Sequence, residues 1–198
     1  MTVEALLALS VFAFATSITP GPNNMMLLAS GVNFGFRRTI PHMLGIGFGF
    51  TAMLVVVGLG LGAALTASPS LLTVLKLVSA GYMLWLAWRL ASSGSIGSAV
   101  GAAKPMRFIE AAGFQWINPK AWALAVSFVA MVVDPGPGRY VGIAVLGVGC
   151  LVIGAASSPT WMVFGDRLEK LLKRTGGERY LGIVMAVLVV ASVVLFFL

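Results

Sequence analysis

The chain has 198 residues, of which 59% are hydrophobic and only 10% are charged, with a mean hydropathy of +1.00. A soluble domain averages roughly 25% charged residues, so this composition excludes an ordinary soluble protein and predicts an all-α integral membrane protein. The single cysteine, Cys150, excludes a disulfide framework, and the single histidine, His42, excludes a histidine-based metal cluster. The net charge is +7, and the positive residues lie in short loops between apolar runs. This placement indicates that they orient the protein in the membrane rather than bind nucleic acid.

Six stretches are apolar enough to predict spanning helices, each of which needs about 20 mostly apolar residues. In chain order they are residues 4–32, 41–65, 70–90, 108–133, 139–164 and 180–198. Of the stretches between them, 91–107 is rich in small residues and is predicted to be flexible, and 165–179 is predicted to be a short charged helix or a loop. The predicted organisation is a first three-span repeat at 1–95, a cytoplasmic linker at 96–107 and a second three-span repeat at 108–198.

Positive charges fall almost entirely on one side of these predicted spans. Ten of them follow the first, third and fifth spans: Arg37, Arg38, Arg89, Lys104, Arg107, Arg167, Lys170, Lys173, Arg174 and Arg179. The other side has only Arg139, plus Lys76 if its side chain extends outward. Cytoplasmic loops carry the excess of lysine and arginine, so we expect these three regions in the cytoplasm and both termini outside it.

The first predicted span is too long for one helix. Residues 4–32 would reach about 43 Å at 1.5 Å per residue, against about 30 Å of hydrocarbon. The sequence Thr19-Pro20-Gly21-Pro22 is where it can break, because proline removes a backbone donor and pushes the preceding residue out of the helical region. Proline is well tolerated in the first turn of a helix. The sequence therefore predicts that one helix ends here and another begins.

A second break is predicted in the fourth span, at Asn118-Pro119-Lys120. Asparagine is among the best N-cap residues and proline is favoured at the first helical position. Pro119 follows Pro20 by half the length of the chain, and each half has three predicted spans. An odd number of spans per half inverts the second half relative to the first, so we predict two inverted three-helix repeats, an architecture common in secondary transporters.

The two predicted helix starts point to an anion-binding site. A helix N-terminus has unpaired N–H groups and about half a positive charge, and irregular backbone at membrane depth is tolerated where it lines a cavity. We therefore expect a substrate with a carboxylate, held near the membrane midplane by the Lys120 ammonium and by backbone N–H groups, namely those of Gly21, Asn23, Asn24 and Ala121. The candidate substrate-binding residues are Thr19, Pro20, Gly21, Pro22, Asn23, Asn24, Gln115, Asn118, Pro119 and Lys120.

Each of these features also has a structural interpretation. A proline can simply kink a packed helix, and Lys120 can extend to the membrane surface. The amides of Asn23, Asn24, Gln115 and Asn118 can bind an ammonium or polar side chain of the substrate, or they can join helices. The sequence SSPT, residues 157–160, is a third proline break that either lines the pathway or kinks the fifth span.

Spacing of small residues predicts close helix packing in the second span. The pairs Gly45/Gly49 and Gly58/Gly62 are four residues apart, which lets helices approach closely. Small-residue faces such as Gly45/Gly49 make a homodimer an open alternative to a monomer.

Motifs and charges that the sequence lacks limit which substrates and energy sources are expected. The chain has no phosphate-binding loop, so ATP is not expected as the direct energy source, and we expect no cofactor and no metal. A cationic side chain would need a buried carboxylate, and the acidic residues fall near predicted span ends. The sequence therefore favours a neutral amino acid as substrate.

Three motifs resemble those of the LysE/RhtB family of amino-acid exporters. They are TPGPNN (19–24), GFRR (35–38) and NPKAW (118–122). The resemblance extends over essentially the whole chain, and TPGPNN, GYMLWLAWRLAS (81–92) and FQWINPK are most similar to the branch that exports cysteine and O-acetylserine. The resemblance implies proton-driven efflux of small amino acids by a non-enzymatic membrane carrier.

One position departs from the family pattern. Many members carry a polar or acidic residue after the glycines of the second span, where this chain has Phe50. This leaves Asp166 and His42 as the candidates for proton coupling. His42 lies near the cytoplasmic end of the second predicted span and is expected at the membrane interface. Three other functional classes remain open. One is a passive channel for small anions that uses the same helix N-termini, and another is a membrane enzyme or thiol relay, which the single cysteine and histidine disfavour. The third is a purely structural membrane protein, which would have little reason to break two helices at matching depths.

Overall fold

The computed structural model describes residues 3–19, 21–62, 68–92, 104–133 and 136–197. These residues form helices and short connections, with no β-strand among them. The predicted all-α class is therefore confirmed. Pro20 and residues 93–103, most of the predicted linker, lie outside the described residues.

Seven α-helices and two short irregular helices follow one another along the described chain. They are α1 (Val3–Ile18), α2 (Pro22–Val56) with a π-helical turn (Val57–Leu61), α3 (Pro69–Ser92), α4 (Phe108–Phe114) with a 3₁₀ turn (Gln115–Ile117), α5 (Pro119–Val132), α6 (Arg139–Thr175) and α7 (Glu178–Phe197). The segments Pro22–Leu61 and Arg139–Thr175 are long and apolar enough to cross a membrane. The six-span inverted repeat stays a prediction.

Helix α2 has a sharp kink at Gly35, where φ is 74° and ψ is 171°. This is the left-handed side of the backbone map, which glycine enters without steric cost. The loop expected after the first span is therefore wrong, because Arg37 and Arg38 are helical and the chain changes direction at one residue. We treat residues 22–34 as the first arm of α2 and residues 36–56 as its second arm.

Helix α6 differs from the prediction at two points. It continues to Thr175, so residues 165–175 extend the fifth span, and it ends where Gly176 adopts a φ of 68°. It also passes through Pro159 without interruption, so the third predicted break is wrong. Proline can be accommodated in a membrane helix when neighbouring helices or hydroxyl groups satisfy the carbonyl it leaves free.

Glycines allow the helices to pack at backbone contact. A Cβ atom on Gly31 would clash with the Met162 carbonyl, and one on Gly165 would clash with the Leu28 carbonyl, so the first arm of α2 lies directly against α6. Close packing at Gly45 and Gly49 is confirmed, with α4 as the partner helix. The second predicted pair is only partly right, since Gly58 meets Ile143 of α6 but Gly62 meets its own Val57, an intrahelical neighbour.

The two ends of the helical assembly have different contacts. At one end, the Gly35 kink faces the carboxylate of Asp166, and Gly45 contacts the first residue of α4, Phe108. At the other end, Arg139 Nε donates to the Gly58 carbonyl over 2.7 Å. The regions after the first and fifth predicted spans therefore meet at Gly35 and Asp166, whereas Arg139 contacts the other end of the Pro22–Leu61 segment.

Candidate functional site

Both helix breaks line one cavity of about 100 Å³. The end of α1, the N-terminus of α2 and the start of α5 form the part of its wall that carries the predicted site residues. The remaining wall comes from α6 and from the second arm of α2 around Phe50. Lys120 is the only charged residue among the described residues that line it.

At the first break, α1 ends at Ile18 and α2 begins at Pro22. Between them Gly21 is fully extended, with a φ of −178°, and Pro22 occupies the first helical position as predicted. No side chain caps this helix start. Asn23 and Asn24 follow in the first turn of α2, where backbone N–H groups have no acceptor within their own helix. Both residues line the cavity, so these N–H groups belong to its wall and can serve as anion donors.

The side chain of Asn24 forms hydrogen bonds with the end of α1 and does not cap the start of α2. Asn24 is buried, and its Nδ2 donates to the Ser17 carbonyl over 2.6 Å and to the Thr19 carbonyl over 2.8 Å. The last carbonyls of a helix have no intrahelical donor, and Asn24 supplies one for two of them. Its amide nitrogen is therefore already used by the protein.

At the second break, Asn118 accepts hydrogen bonds from backbone N–H groups in the first turn of α5. Its Oδ1 accepts from the backbone N–H of Lys120 over 3.1 Å. Its carbonyl accepts from the N–H groups of Ala121 and Trp122 over 3.1 and 3.3 Å. The expectation that the Ala121 N–H is available to a substrate is therefore wrong, because this N–H already has an acceptor.

Lys120 joins the two breaks. Its Nζ donates to the carbonyl of Thr19 over 3.1 Å, across the cavity from its own helix. The lysine also passes close to Gly21, where an added Cβ would lie 3.0 Å from both Cδ and Nζ. The ammonium group thus lies at the N-terminus of α2 rather than extending along α5 to the membrane surface.

Gln115 and Pro119, two other predicted site residues, have structural roles. Gln115 is fully buried and forms a reciprocal amide pair with Asn23, with donor–acceptor distances of 2.9 and 3.1 Å. Its Nε2 also donates to the Ala111 carbonyl over 3.0 Å. Neither Gln115 nor the buried Pro119 lines the cavity, whereas Gly21, Pro22, Asn23, Asn24, Asn118 and Lys120 do.

The two candidate coupling residues lie outside the cavity wall. Asp166 forms an ion pair with Lys170 over 2.6 Å beside the Gly35 kink. His42 is only 2% exposed, and its Nδ1 has no hydrogen-bond partner among the described residues. The sequence placed His42 at the membrane interface, whereas the structure buries it between helices.

Sequence reasoning missed the apolar part of the cavity wall, whereas it named SSPT as a possible pathway lining. Phe50 and Phe128 pack edge to face at a centroid distance of 6.4 Å, and both line the cavity. Ser157 and Ser158 line it from α6. Only the unusual SSPT sequence signalled this wall, while the aromatic positions look like ordinary membrane residues.

Comparison with known proteins gives a consistent family match. A family model described as "LysE type translocator" matches residues 14–198. Proteins named cysteine/O-acetylserine efflux protein match along the whole of both chains, at 30% identity over 201 residues in Salmonella paratyphi A and 30% over 198 residues in Escherichia coli strain K12. No solved structure matches the chain.

Proposed function

Because this chain belongs to the LysE type translocator family, we propose that it is a secondary transporter that exports small neutral amino acids or their derivatives across the cytoplasmic membrane. The proposed driving force is the proton gradient, and the proposed cycle is alternating access. Cysteine and O-acetylserine, which appear in the names of the relatives, are the first substrates to test.

The observation that carries the proposal is the hydrogen bond from Lys120 to Thr19 across the cavity. It places an ammonium group beside the uncapped N-terminus of α2. A substrate carboxylate would replace the Thr19 carbonyl as the acceptor of the ammonium and would also meet the N–H groups of Asn23 and Asn24. A hydrogen bond to a charged group contributes about 1.5–3 kcal/mol, and the helix N-terminus adds typically 0.3–1 kcal/mol.

The other cavity residues favour a small and neutral substrate. No acidic residue is among the described residues that line the cavity, so a second positive charge on the substrate would have no opposite charge there. Leu124, Phe50 and Phe128 provide an apolar wall, and Ser157 and Ser158 provide hydroxyl groups. This arrangement fits an uncharged side chain of a few heavy atoms.

Alternating access would move the two halves of the chain against each other around this site. Two polar contacts join the halves at the site, Lys120 with Thr19 and Gln115 with Asn23, and Phe50 with Phe128 adds an apolar one. The polar contacts can be exchanged for contacts with substrate. The count of basic residues supports an orientation with the Gly35 kink in the cytoplasm and both termini outside.

Counterflow in proteoliposomes of the purified protein tests the proposal. Vesicles preloaded with unlabelled L- or D-amino acids would be given labelled O-acetyl-L-serine, and entry of label followed over time. We expect accumulation driven by L-amino acids, strongly reduced in Lys120→Met and unchanged in Lys104→Met, whose side chain is exposed outside the cavity. Absence of counterflow together with a rapid chloride or formate leak would instead identify a passive anion channel.

A further inference from the structure

His42 is a buried ionisable residue that the substrate site does not use. It lies on the second arm of α2, one helical turn from Ile46, which lines the cavity. It is 2% exposed, and its Nδ1 has no partner among the described residues. Burial of a polar atom without a partner is unfavourable, so an unpaired nitrogen in this position requires an explanation.

A pair of buried hydroxyl groups, Ser30 and Thr39, lies one turn from His42 on its other side. We call this pair the hydroxyl bridge. Their oxygens are 3.1 Å apart, and Thr39 Oγ1 also donates to the Gly35 carbonyl over 2.9 Å. Since Thr39 has only one hydroxyl proton and gives it to Gly35, Ser30 is the donor within the bridge. The bridge therefore ties the first arm of α2 to the second arm across the kink.

The first arm is the helix whose N-terminus forms the proposed substrate site, and the second arm carries His42. A change at His42 can therefore reach the substrate site through one helix and one pair of hydroxyl groups. The side of the protein with the Gly35 kink also has Asp166, the acidic residue that faces the kink. This places an ionisable group, a kinked joint and the substrate site on one continuous helix.

On the first arm of α2, its second arm, α4 and α6, the described charged side chains near His42 are paired or exposed. The first arm of α2 has no ionisable residue. On α4, Glu110 pairs with Arg107 over 2.8 Å at the surface. On α6, Asp166 pairs with Lys170, and Arg167 is exposed, as are Arg37 and Arg38 on the second arm itself. No ion pair to His42 is present among the described residues.

We propose that His42 carries the proton that is exchanged for the exported amino acid, and that the hydroxyl bridge transmits its protonation state to the substrate site. This inference rests on the proposed function. Histidine is suited to the role because the unperturbed imidazole changes charge near physiological pH, and its surroundings can shift that equilibrium. The imidazole binds one proton from outside and releases it to the cytoplasm, while one zwitterion leaves the cell. Each cycle thus moves one positive charge inward and forms or breaks no other bond.

His42→Gln separates coupling from transport, because glutamine keeps polar atoms in the site but does not titrate. In proteoliposomes with labelled O-acetyl-L-serine, we expect counterflow within about twofold of wild type, since exchange needs no net proton movement. We also expect that an imposed pH gradient no longer accelerates net transport, and that substrate no longer drives proton movement reported by trapped pyranine. Gradient-driven transport at the wild-type rate in His42→Gln would overturn the proposal.

Thr39→Val tests the bridge and provides a second variant if His42→Gln does not fold. Valine keeps the shape of threonine and removes the hydroxyl that meets Ser30. Thr51→Val is the matched control, because Thr51 lies on the same arm and bonds only its own helix, at the Gly47 carbonyl. We expect gradient stimulation to fall at least about twofold in Thr39→Val, with counterflow retained, and to stay unchanged in Thr51→Val.

These experiments distinguish failure of the coupling proposal from failure of the proposed transport function. If wild-type protein shows no counterflow, the transporter proposal itself fails. If wild type exchanges substrate but His42→Gln, folded by size-exclusion chromatography, loses counterflow as well as gradient stimulation, His42 has a structural or binding role and the coupling proposal is wrong. If Thr39→Val and Thr51→Val lose gradient stimulation equally, the hydroxyl bridge has no specific role.

Discussion

The chain starts a helix inside the protein at Pro22 and again at Pro119, and the two starts satisfy their hydrogen bonds differently. At Pro119, Asn118 caps its own helix through its side chain and its carbonyl. At Pro22, Gly21 offers no cap, and Asn24 turns back to the carbonyls at the end of α1. The helix start at Pro119 is therefore capped by Asn118, whereas the helix start at Pro22 leaves its backbone N–H groups available.

This difference assigns unequal roles to two similar sequences. The open start at Pro22 supplies the backbone donors of the proposed site, while the closed start at Pro119 supplies rigidity and positions Lys120. The lysine then delivers its charge to the opposite break, at the Thr19 carbonyl. The proposed anion site is thus built from the backbone of one half of the chain and a side chain of the other.

The same substitution at the two breaks should have very different effects on stability. Asn24→Asp replaces a buried donor by an acceptor facing two carbonyls, and each unsatisfied buried group costs about 1–3 kcal/mol. Asn118→Asp keeps the capping oxygen and adds a negative charge at a helix N-terminus, which is favourable. We expect a large loss of thermal stability in detergent for Asn24→Asp and little or none for Asn118→Asp.

Transport should separate the two variants further. Asn118→Asp places a carboxylate beside Lys120, so we expect weaker substrate binding in a protein that still folds. Thermal melting and counterflow would be measured on the same preparations. Equal melting temperatures for Asn24→Asp and Asn118→Asp would show that the two asparagines have equivalent roles and would contradict the comparison.

Removal of the cap at the second break should have a moderate effect. Loss of an asparagine N-cap costs typically about 1 kcal/mol, with a range of about 0.5–2 kcal/mol. We expect Asn118→Ala to lose about this much stability and Asn118→Ser to recover most of it, because a serine hydroxyl can accept from the Lys120 N–H. Thermal unfolding in detergent checks both variants. If serine is as destabilising as alanine, the capping bond is not what stabilises this start.

Gly21→Ala should have the smallest effect and should act through Lys120. The extended φ of −178° suits any residue, so the backbone is not strained. The added Cβ would lie 3.0 Å from Lys120 Nζ and Cδ, which requires the lysine side chain to shift slightly. We expect a few-fold rise in the half-saturating substrate concentration and no change in melting temperature.

A double variant identifies the cause of the Gly21→Ala effect. If the alanine acts by displacing the lysine, it should have no further effect in a Lys120→Met background. A Gly21→Ala effect of the same size in both backgrounds would show that the alanine perturbs something other than Lys120.

The sequence was informative where local chemistry decides the structure. The prolines at 22 and 119 begin helices, as their fixed φ and missing donor predict, and Asn118 caps as predicted. The all-helical class followed from composition. The close contacts of Gly45 and Gly49 followed from their spacing, although their partner helix did not.

The sequence was less informative where tertiary contacts decide. The Ala121 N–H is occupied because it donates to the Asn118 carbonyl, which depends on the backbone conformation at Asn118. The direction of the Asn24 side chain depends on where the carbonyls at the end of α1 lie. The kink at Gly35 looked like a loop because two arginines follow it, and Pro159 looked like a break although α6 continues through it. The burial of His42 could not be read from a histidine near a predicted span end.

The most direct test of the account is a comparison of carboxylate and carboxamide ligands in wild type and Lys120→Met. Inhibition of O-acetyl-L-serine counterflow by L-serine and by L-serinamide would be measured in both proteins. We expect wild type to bind L-serine more tightly by roughly 10- to 150-fold, the equivalent of a charged hydrogen bond of about 1.5–3 kcal/mol, and this preference to collapse in Lys120→Met. An unchanged preference in Lys120→Met would show that the substrate carboxylate does not lie at the junction of the two helix breaks.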